Sequence, residues 1–167
     1  LVSTPLSANI TPATLSVTGL QANSKIYDAS TAATLNGSAA IAALGSGSVT
    51  LSGTALGSFA DKNVGTGKTV TVTGYTISGA DSGNYSLTQP SPTANITAAA
   101  LSITGVSAQN KVYDRTTAAT LTGTASLSGV IAGDTVTLGG SPTASFADKT
   151  VATGKAVTVV GYTISGA

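Results

Sequence analysis

The sequence predicts an all-β protein built from two copies of one small module, and three observations carry that prediction. The chain repeats itself at an offset of 86 residues, which becomes 87 after one inserted residue near Ser128. Its apolar residues fall two apart, with Thr or Ser between them, and no segment keeps the 3.6-residue period of a helix. Gly, Asp, Asn and Pro punctuate these segments at short intervals, as turns between strands do. Self-similarity at such a period marks a tandem array in which each repeat is one packing unit.

The repeat sets the domain organisation. Residues 9–28 match residues 95–114 at 12 of 20 positions, and residues 59–80 match 146–167 at 18 of 22. Residues 1–8 align with 87–94 and are expected to be the tail of a preceding repeat. Residues 9–94 then form a complete module. Residues 95–167 form a second one lacking its last strand or strands, because counterparts of residues 81–86 would fall beyond Ala167. The chain is therefore expected to be an interior piece of a longer array. Its second module is expected to carry an open edge able to accept a strand from a neighbour.

Within one repeat the strands expected are residues 14–18, 48–52, 68–73, 75–78, 85–88 and 93–97. In Leu15-Ser16-Val17 and Val70-Thr71-Val72 the apolar side chains share one face, so that face is buried and the Ser or Thr face meets water. Tyr27, Phe59 and Tyr75, matched by Tyr113, Phe146 and Tyr162, are the largest side chains available to a core. A module this small buries only ~60–65% of its unfolded surface, so contacts with neighbouring repeats are expected to add to its stability.

The run Asp81-Ser82-Gly83-Asn84-Tyr85, followed by Leu87, has the form of the tyrosine corner of immunoglobulin-like sandwiches. In that corner the Tyr hydroxyl bonds back to the backbone and the residue two later enters the core. Asp81, Gly83 and Tyr85 are thus assigned a structural role, and tandem immunoglobulin-like β-sandwiches forming an elongated rod are the architecture expected. A β-grasp-like or other small all-β repeat is the alternative.

Composition narrows function by exclusion. The chain has no Cys, His, Met or Trp, and its acidic residues are all Asp. Thiolate nucleophiles, Ser-His-Asp triads and the common zinc ligand sets therefore have no residues to build them. The net charge of +1 comes from scattered groups, without the basic stripe that a nucleic-acid groove needs. Apolar runs are too short to cross a membrane as a helix. No two of Asp28, Asp61, Asp81, Asp114, Asp134 and Asp148 lie within a few residues of one another, so calcium ligation would require the fold to gather them. No metal, cofactor or catalytic residue is assigned. A Lys-Asn isopeptide bond would have only Asp to promote it. The alternating Thr69, Thr71 and Thr73 resemble a flat ice- or glycan-binding face, but Ala156 and Val160 break that ladder in the second repeat. Asn9, Asn36, Asn84 and Asn95 each open an Asn-x-Ser/Thr triplet, as chance allows in so Ser/Thr-rich a chain.

Several of these motifs, in their order and spacing, resemble the YDG-type repeats found in tandem in filamentous-haemagglutinin-like bacterial surface adhesins. The residues are Lys25-Ile26-Tyr27-Asp28 and Lys111-Val112-Tyr113-Asp114, Thr34-Leu35-x-Gly37 and Thr120-Leu121-x-Gly123, and the Phe-Ala-Asp-Lys and Gly83-Asn84-Tyr85 segments. The resemblance spans essentially the whole chain, and it marks Tyr27, Asp28, Tyr113 and Asp114 as structural. It implies a non-enzymatic extracellular stalk whose partners are neighbouring repeats of the same chain, and other copies where fibres form. The alternative is a module that itself binds glycan, ice or a host surface protein. Ala29 and Arg115 stand where the family name places Gly, and ordinary negative φ is expected at both.

Overall fold

The structure is a computed structural model that describes residues 4–45 and 47–166. It is all-β: among the described residues, fourteen strands and a single three-residue 3-10 turn account for the regular structure. The chain divides into two compact units, Leu1–Ala98 and Ala99–Ala167.

Unit 1 begins with β1 (Ala13–Ser16), β2 (Thr18–Ala22), β3 (Lys25–Ile26), β4 (Ala32–Ala33) and β5 (Leu35–Ala40). The long strands β6 (Thr50–Phe59) and β7 (Gly65–Ser78) follow, then the 3-10 turn Ser82–Asn84, β8 (Tyr85–Thr88) and β9 (Thr93–Thr97). A five-stranded sheet runs in the order β3-β9-β7-β6-β4, flanked by the antiparallel ribbon β2-β5 and the parallel pair β1-β8. Parallel strands need a long connection between them. Here almost the whole module is that connection, so β1-β8 and β3-β9 each tie the beginning of the unit to its end.

The core follows from the two-residue alternation. Val70 and Val72 on β7 are 0% and 2% exposed, while Thr69, Thr71 and Thr73 face solvent. They pack with Phe59, Ala94 and Ile96, and Leu20, Tyr27, Leu35 and Tyr75 close around that cluster. Leu15 and Val17 are buried as well, with Leu15 opposite Leu87 in the parallel pair.

Unit 2 holds β10 (Ser102–Ala108), β11 (Ala118–Ala119), β12 (Leu121–Ser128), β13 (Val136–Phe146) and β14 (Val157–Gly166). Its ribbon β10-β12 and its sheet β11-β13-β14 reproduce β2-β5 and β4-β6-β7 of unit 1. Residues 99–101 and 111–112, the counterparts of β1 and β3, form no strand. Every fully buried apolar side chain among the described residues belongs to unit 1.

The long hairpins bend where glycines cross. Gly53 on β6 and Gly74 on β7 both have φ of +97°, and the register shifts between Gly53 and Leu56. A Cβ on Gly74 would lie 2.1 Å from the Thr54 carbonyl oxygen, so only glycine lets the two backbones approach this closely. Gly140 and Gly161 repeat the crossing in unit 2, again beside a register shift.

The strands depart from their expected bounds in several places. Those at 85–88 and 93–97 form as expected, and residues 68–73 and 75–78 merge into the single strand β7, which passes through Gly74. The strand expected at 48–52 starts at Thr50 and continues to Phe59. Strands β2 to β5 add to the expected set, because segments such as Leu35-Asn36-Gly37-Ser38 have little intrinsic strand preference and are held by their partner instead. The compact unit ends at Ala98, four residues past the sequence repeat, because β9 is shared by β3 and β7. Residues 1–3 of the expected tail lie outside the described residues; residues 4–8 take no regular structure. Tyr113, expected in a core, is 54% exposed. An immunoglobulin-like sandwich is antiparallel throughout, whereas β1-β8 and β3-β9 are parallel.

Candidate functional site

The segment Lys25-Ile26-Tyr27-Asp28-Ala29-Ser30 leaves β3 and turns sharply. Asp28 Oδ1 accepts hydrogen bonds from the Ser30 N–H and the Ser30 hydroxyl, both at 2.9 Å, and from Lys25 Nζ at 2.7 Å. A carboxylate that bonds the backbone two residues on closes an Asx-type turn. The Lys25 ammonium also donates to the Ser30 and Ala32 carbonyls, at 2.8 and 3.1 Å, and sits 5.7 Å from the centre of the Phe59 ring. One cation thus ties β3, the turn and the start of β4 to the core aromatic. Its aliphatic stem packs inward while the head group is fully occupied.

This turn overturns the expectation of ordinary backbone at its central residue. Ala29 has φ of +62° and Arg115 has φ of +68°. The bonds from Ser30 and Lys25 to Asp28 draw the chain back on itself, which leaves residue 29 in the left-handed region. A non-glycine residue there costs about 1–2 kcal/mol.

Unit 2 rebuilds the same arrangement. Asp114 Oδ1 accepts from Lys111 Nζ at 2.7 Å and from the Thr116 N–H and hydroxyl at 2.9 Å, with Lys111 Nζ 5.8 Å from the Phe146 ring centre. The lysine hydrogen bond, followed by the backbone and hydroxyl donors, lowers the Asp28 and Asp114 carboxyls to about 2 from an ordinary 3.8.

A second anchor closes the turn before β7. Asp61 accepts from Lys68 Nζ at 2.7 Å and from the Asn63 N–H at 2.8 Å. In unit 2 Asp148 accepts from Lys155 and from the Thr150 N–H and hydroxyl. Its lysine contact, with the Thr150 donors, holds the Asp148 carboxyl well below its ordinary range, and the Lys68 hydrogen bond lowers Asp61 in the same direction. Lys68 and Lys155 are only 15% and 14% exposed. The Asp61 and Asp148 side chains lie in loops, while Lys68 and Lys155 are folded inward.

The Asp81–Tyr85 segment also works as a fastener. Asp81 Oδ2 accepts from the Ser48 N–H at 2.7 Å, and the Tyr85 hydroxyl accepts from the Leu44 N–H at 3.1 Å. The hydroxyl therefore reaches the backbone, but of the β5–β6 loop rather than of its own corner. Gly83 lies in the 3-10 turn with open space around it, so glycine is not sterically demanded there. Among the described residues no three carboxylates converge. Each lysine of these anchors bonds within its own turn, and what the anchors do chemically is hold turns.

The conformation at residue 29 is what a glycine after Tyr-Asp would adopt without strain, and the YDG domain profile matches residues 11–94 and again 97–167. The chain belongs to the YDG domain family. No curated protein and no solved structure matches it. In this pair of YDG domains Tyr27 and Asp28 head the anchored turn of the first copy, and Tyr113 and Asp114 that of the second. The sequence points to these residues, but not to the lysine that each aspartate holds or to the inward path of Lys68 and Lys155. The available signal is the equal spacing of Lys and Asp in both repeats, three residues in one anchor and seven in the other.

Proposed function

We propose that this pair of YDG domains is a non-catalytic structural repeat, a spacer in the stalk of a bacterial surface adhesin that holds a binding tip away from the cell. One observation carries the reading: four of the six lysines that recur from repeat to repeat are spent on the scaffold. Lys25, Lys68, Lys111 and Lys155 each pair with an Asp of their own turn. A module selected to grip a ligand would be expected to repeat outward-facing groups. The Thr69–Thr71–Thr73 face, the best outward candidate, is not kept as a Thr ladder in the second repeat.

An extracellular location and contact with neighbouring repeats belong to the same proposal. Small β modules in series suit a rod whose stability is a sum of unit and nearest-neighbour terms. A sandwich form of the first module has the hydroxyl bond of Tyr85 on its side, while the two parallel pairings of that module favour another small all-β arrangement. Small-angle scattering on a protein of four or more complete repeats tests the reading, with a glycan and cell-binding screen on the same sample. A stiff particle that lengthens by a constant increment per repeat and binds nothing is the expected result. Saturable binding by a single repeat overturns it in favour of a ligand-recognising module.

A further inference from the structure

Two parallel strand pairs tie unit 1 together, and their place in the chain decides how the unit meets tension. Strand β1 pairs with β8 through Ala13↔Tyr85, Thr14↔Ser86, Leu15↔Leu87 and Ser16↔Thr88, and the Val17 N–H adds a bond of 3.0 Å to the Thr88 carbonyl. Strand β3 pairs with β9 through Lys25↔Ile96 and Ile26↔Thr97, and the Tyr27 N–H continues that ladder to the Thr97 carbonyl at 2.8 Å. In each pair the first strand belongs to the start of the unit and the second to its end.

In a parallel pair the N-terminal end of one strand and the C-terminal end of its partner lie at opposite ends of the ladder. Tension that enters the chain before β1 and leaves it after β9 therefore drags the two strands of each pair past one another. The rungs lie across that pull and share it, so none opens until several give together. The antiparallel hairpin β6–β7 is the contrast. Thr50 and Ser78 face each other at its open end, so a pull applied there loads one rung at a time.

Side chains reinforce the ladders. The Asn95 N–H donates to the Ser24 hydroxyl at 3.0 Å, the Gly67 N–H to the Asn95 side-chain oxygen at 2.8 Å, and the Thr97 hydroxyl to the Lys25 carbonyl at 3.3 Å. Strand β9 is thus latched to the segment entering β3 on one side and to β7 on the other, where Ala94 and Thr93 pair with Lys68 and Thr69. Leu15 on β1, Val17 just past it, and Ala94 and Ile96 on β9 are all at most 6% exposed. Side chains this buried keep water from replacing the neighbouring rungs as they strain, and a hydrogen bond away from water is the stronger one.

We propose that unit 1 is a shear clamp, a module whose two parallel pairs let it carry tension along the chain without unfolding. Its biological use rests on the stalk reading, whereas the clamp itself is a property of the unit.

Pulling single molecules of the 167-residue chain tests it. The chain has no Cys, so a pair of introduced cysteines fixes where the handles attach. Thr11→Cys with Ala98→Cys loads the parallel pairs in shear, and Thr50→Cys with Ala80→Cys opens the β6–β7 hairpin from its end. All four positions are exposed, and matching urea midpoints check that both variants keep the fold. Forced unfolding reads the unfolding barrier rather than the equilibrium stability. The first variant is expected to unfold at a several-fold higher force than the second, with the whole segment between its handles released in one step. Ser24→Ala, which removes one latch at an exposed position, is expected to lower the force in the first direction and leave the second unchanged. Equal forces in the two directions overturn the proposal, as does a Ser24→Ala loss that is the same in both, or release of β1 or β9 at low force ahead of the rest. A high shear force in a module that also binds ligand would keep the clamp and discard the stalk, so the two readings fail separately.

Discussion

Lys25 Nζ lies 2.7 Å from Asp28 Oδ1, and the same contact recurs at the same distance between Lys111 and Asp114. An ion pair confined to the surface contributes little. Here the lysine stem is 17% exposed and its head group bonds to two backbone carbonyls beyond the carboxylate. Lys25→Met keeps the stem but orphans those acceptors, so it is expected to lower the urea midpoint of unit 1 more than Lys62→Met does. Equal effects of the two substitutions in a denaturant titration would show that the anchor is dispensable.

The depressed carboxyls predict the acid limit of the fold. Folded Asp28 and Asp114 titrate at about 2 against an ordinary 3.8. Folded and unfolded carboxyls are both ionised above about pH 5, where the stabilisation is complete. As pH falls from there the unfolded carboxyls take up protons first, and stability is lost until the folded groups protonate near pH 2. Equilibrium unfolding between about pH 5 and pH 2 is expected to show this decline, smaller in Asp28→Asn. A profile with no slope in that window would contradict the anchored geometry.

Ala29 and Arg115 hold left-handed backbone. Ala29→Gly and Arg115→Gly release strain at some cost in unfolded-chain entropy, and each is expected to stabilise its unit by about 0.5–1 kcal/mol. Thermal or urea melts of the two variants measure this directly. Destabilisation would mean that neither residue is strained.

Gly74 is expected to be intolerant for the opposite reason. Its φ is +97°, and a methyl group added there would lie 2.1 Å from a backbone oxygen. Gly74→Ala therefore forces β6 and β7 apart and is expected to cost about 3 kcal/mol. Gly83→Ala, with open space around it, is the matched control and is expected to be close to neutral. Comparable losses in both would refute the crossing.

Ile96 fills the unit 1 core at 1% exposure. Ile96→Ala is expected to destabilise that unit by about 3 kcal/mol. Amide exchange resolved by residue is expected to locate the loss around Phe59 and Val70, with the equivalent positions Phe146 and Val157 unchanged. A loss spread equally over both sets would mean that Ile96 does not act through the unit 1 core alone.

Much of this is legible in the sequence, and unevenly so. The valine alternation at 70–72 exposes the buried face of β7 because period-two burial is written directly in side-chain order. Asp28 and Asp61 can be placed in turns from residue type. The φ at Ala29 cannot, because local sterics favour negative φ and only the long reach of Lys25 and the bonds of Ser30 reverse that preference. Strands β3, β4 and β5 carry little signal of their own because their residues gain strand geometry from partners distant in sequence.

The sequence by itself determined that the chain is β-rich, that it repeats, and which residues recur, since these depend on composition and spacing alone. Only the tertiary structure decided that β9 completes the first unit and that Lys25, Lys68, Lys111 and Lys155 fold inward onto their aspartates. Those outcomes depend on pairings across tens of residues. Identical local sequences such as Ala8–Thr11 and Ala94–Thr97 therefore end in different states, one exposed and one buried, according to whether partner strands reach them.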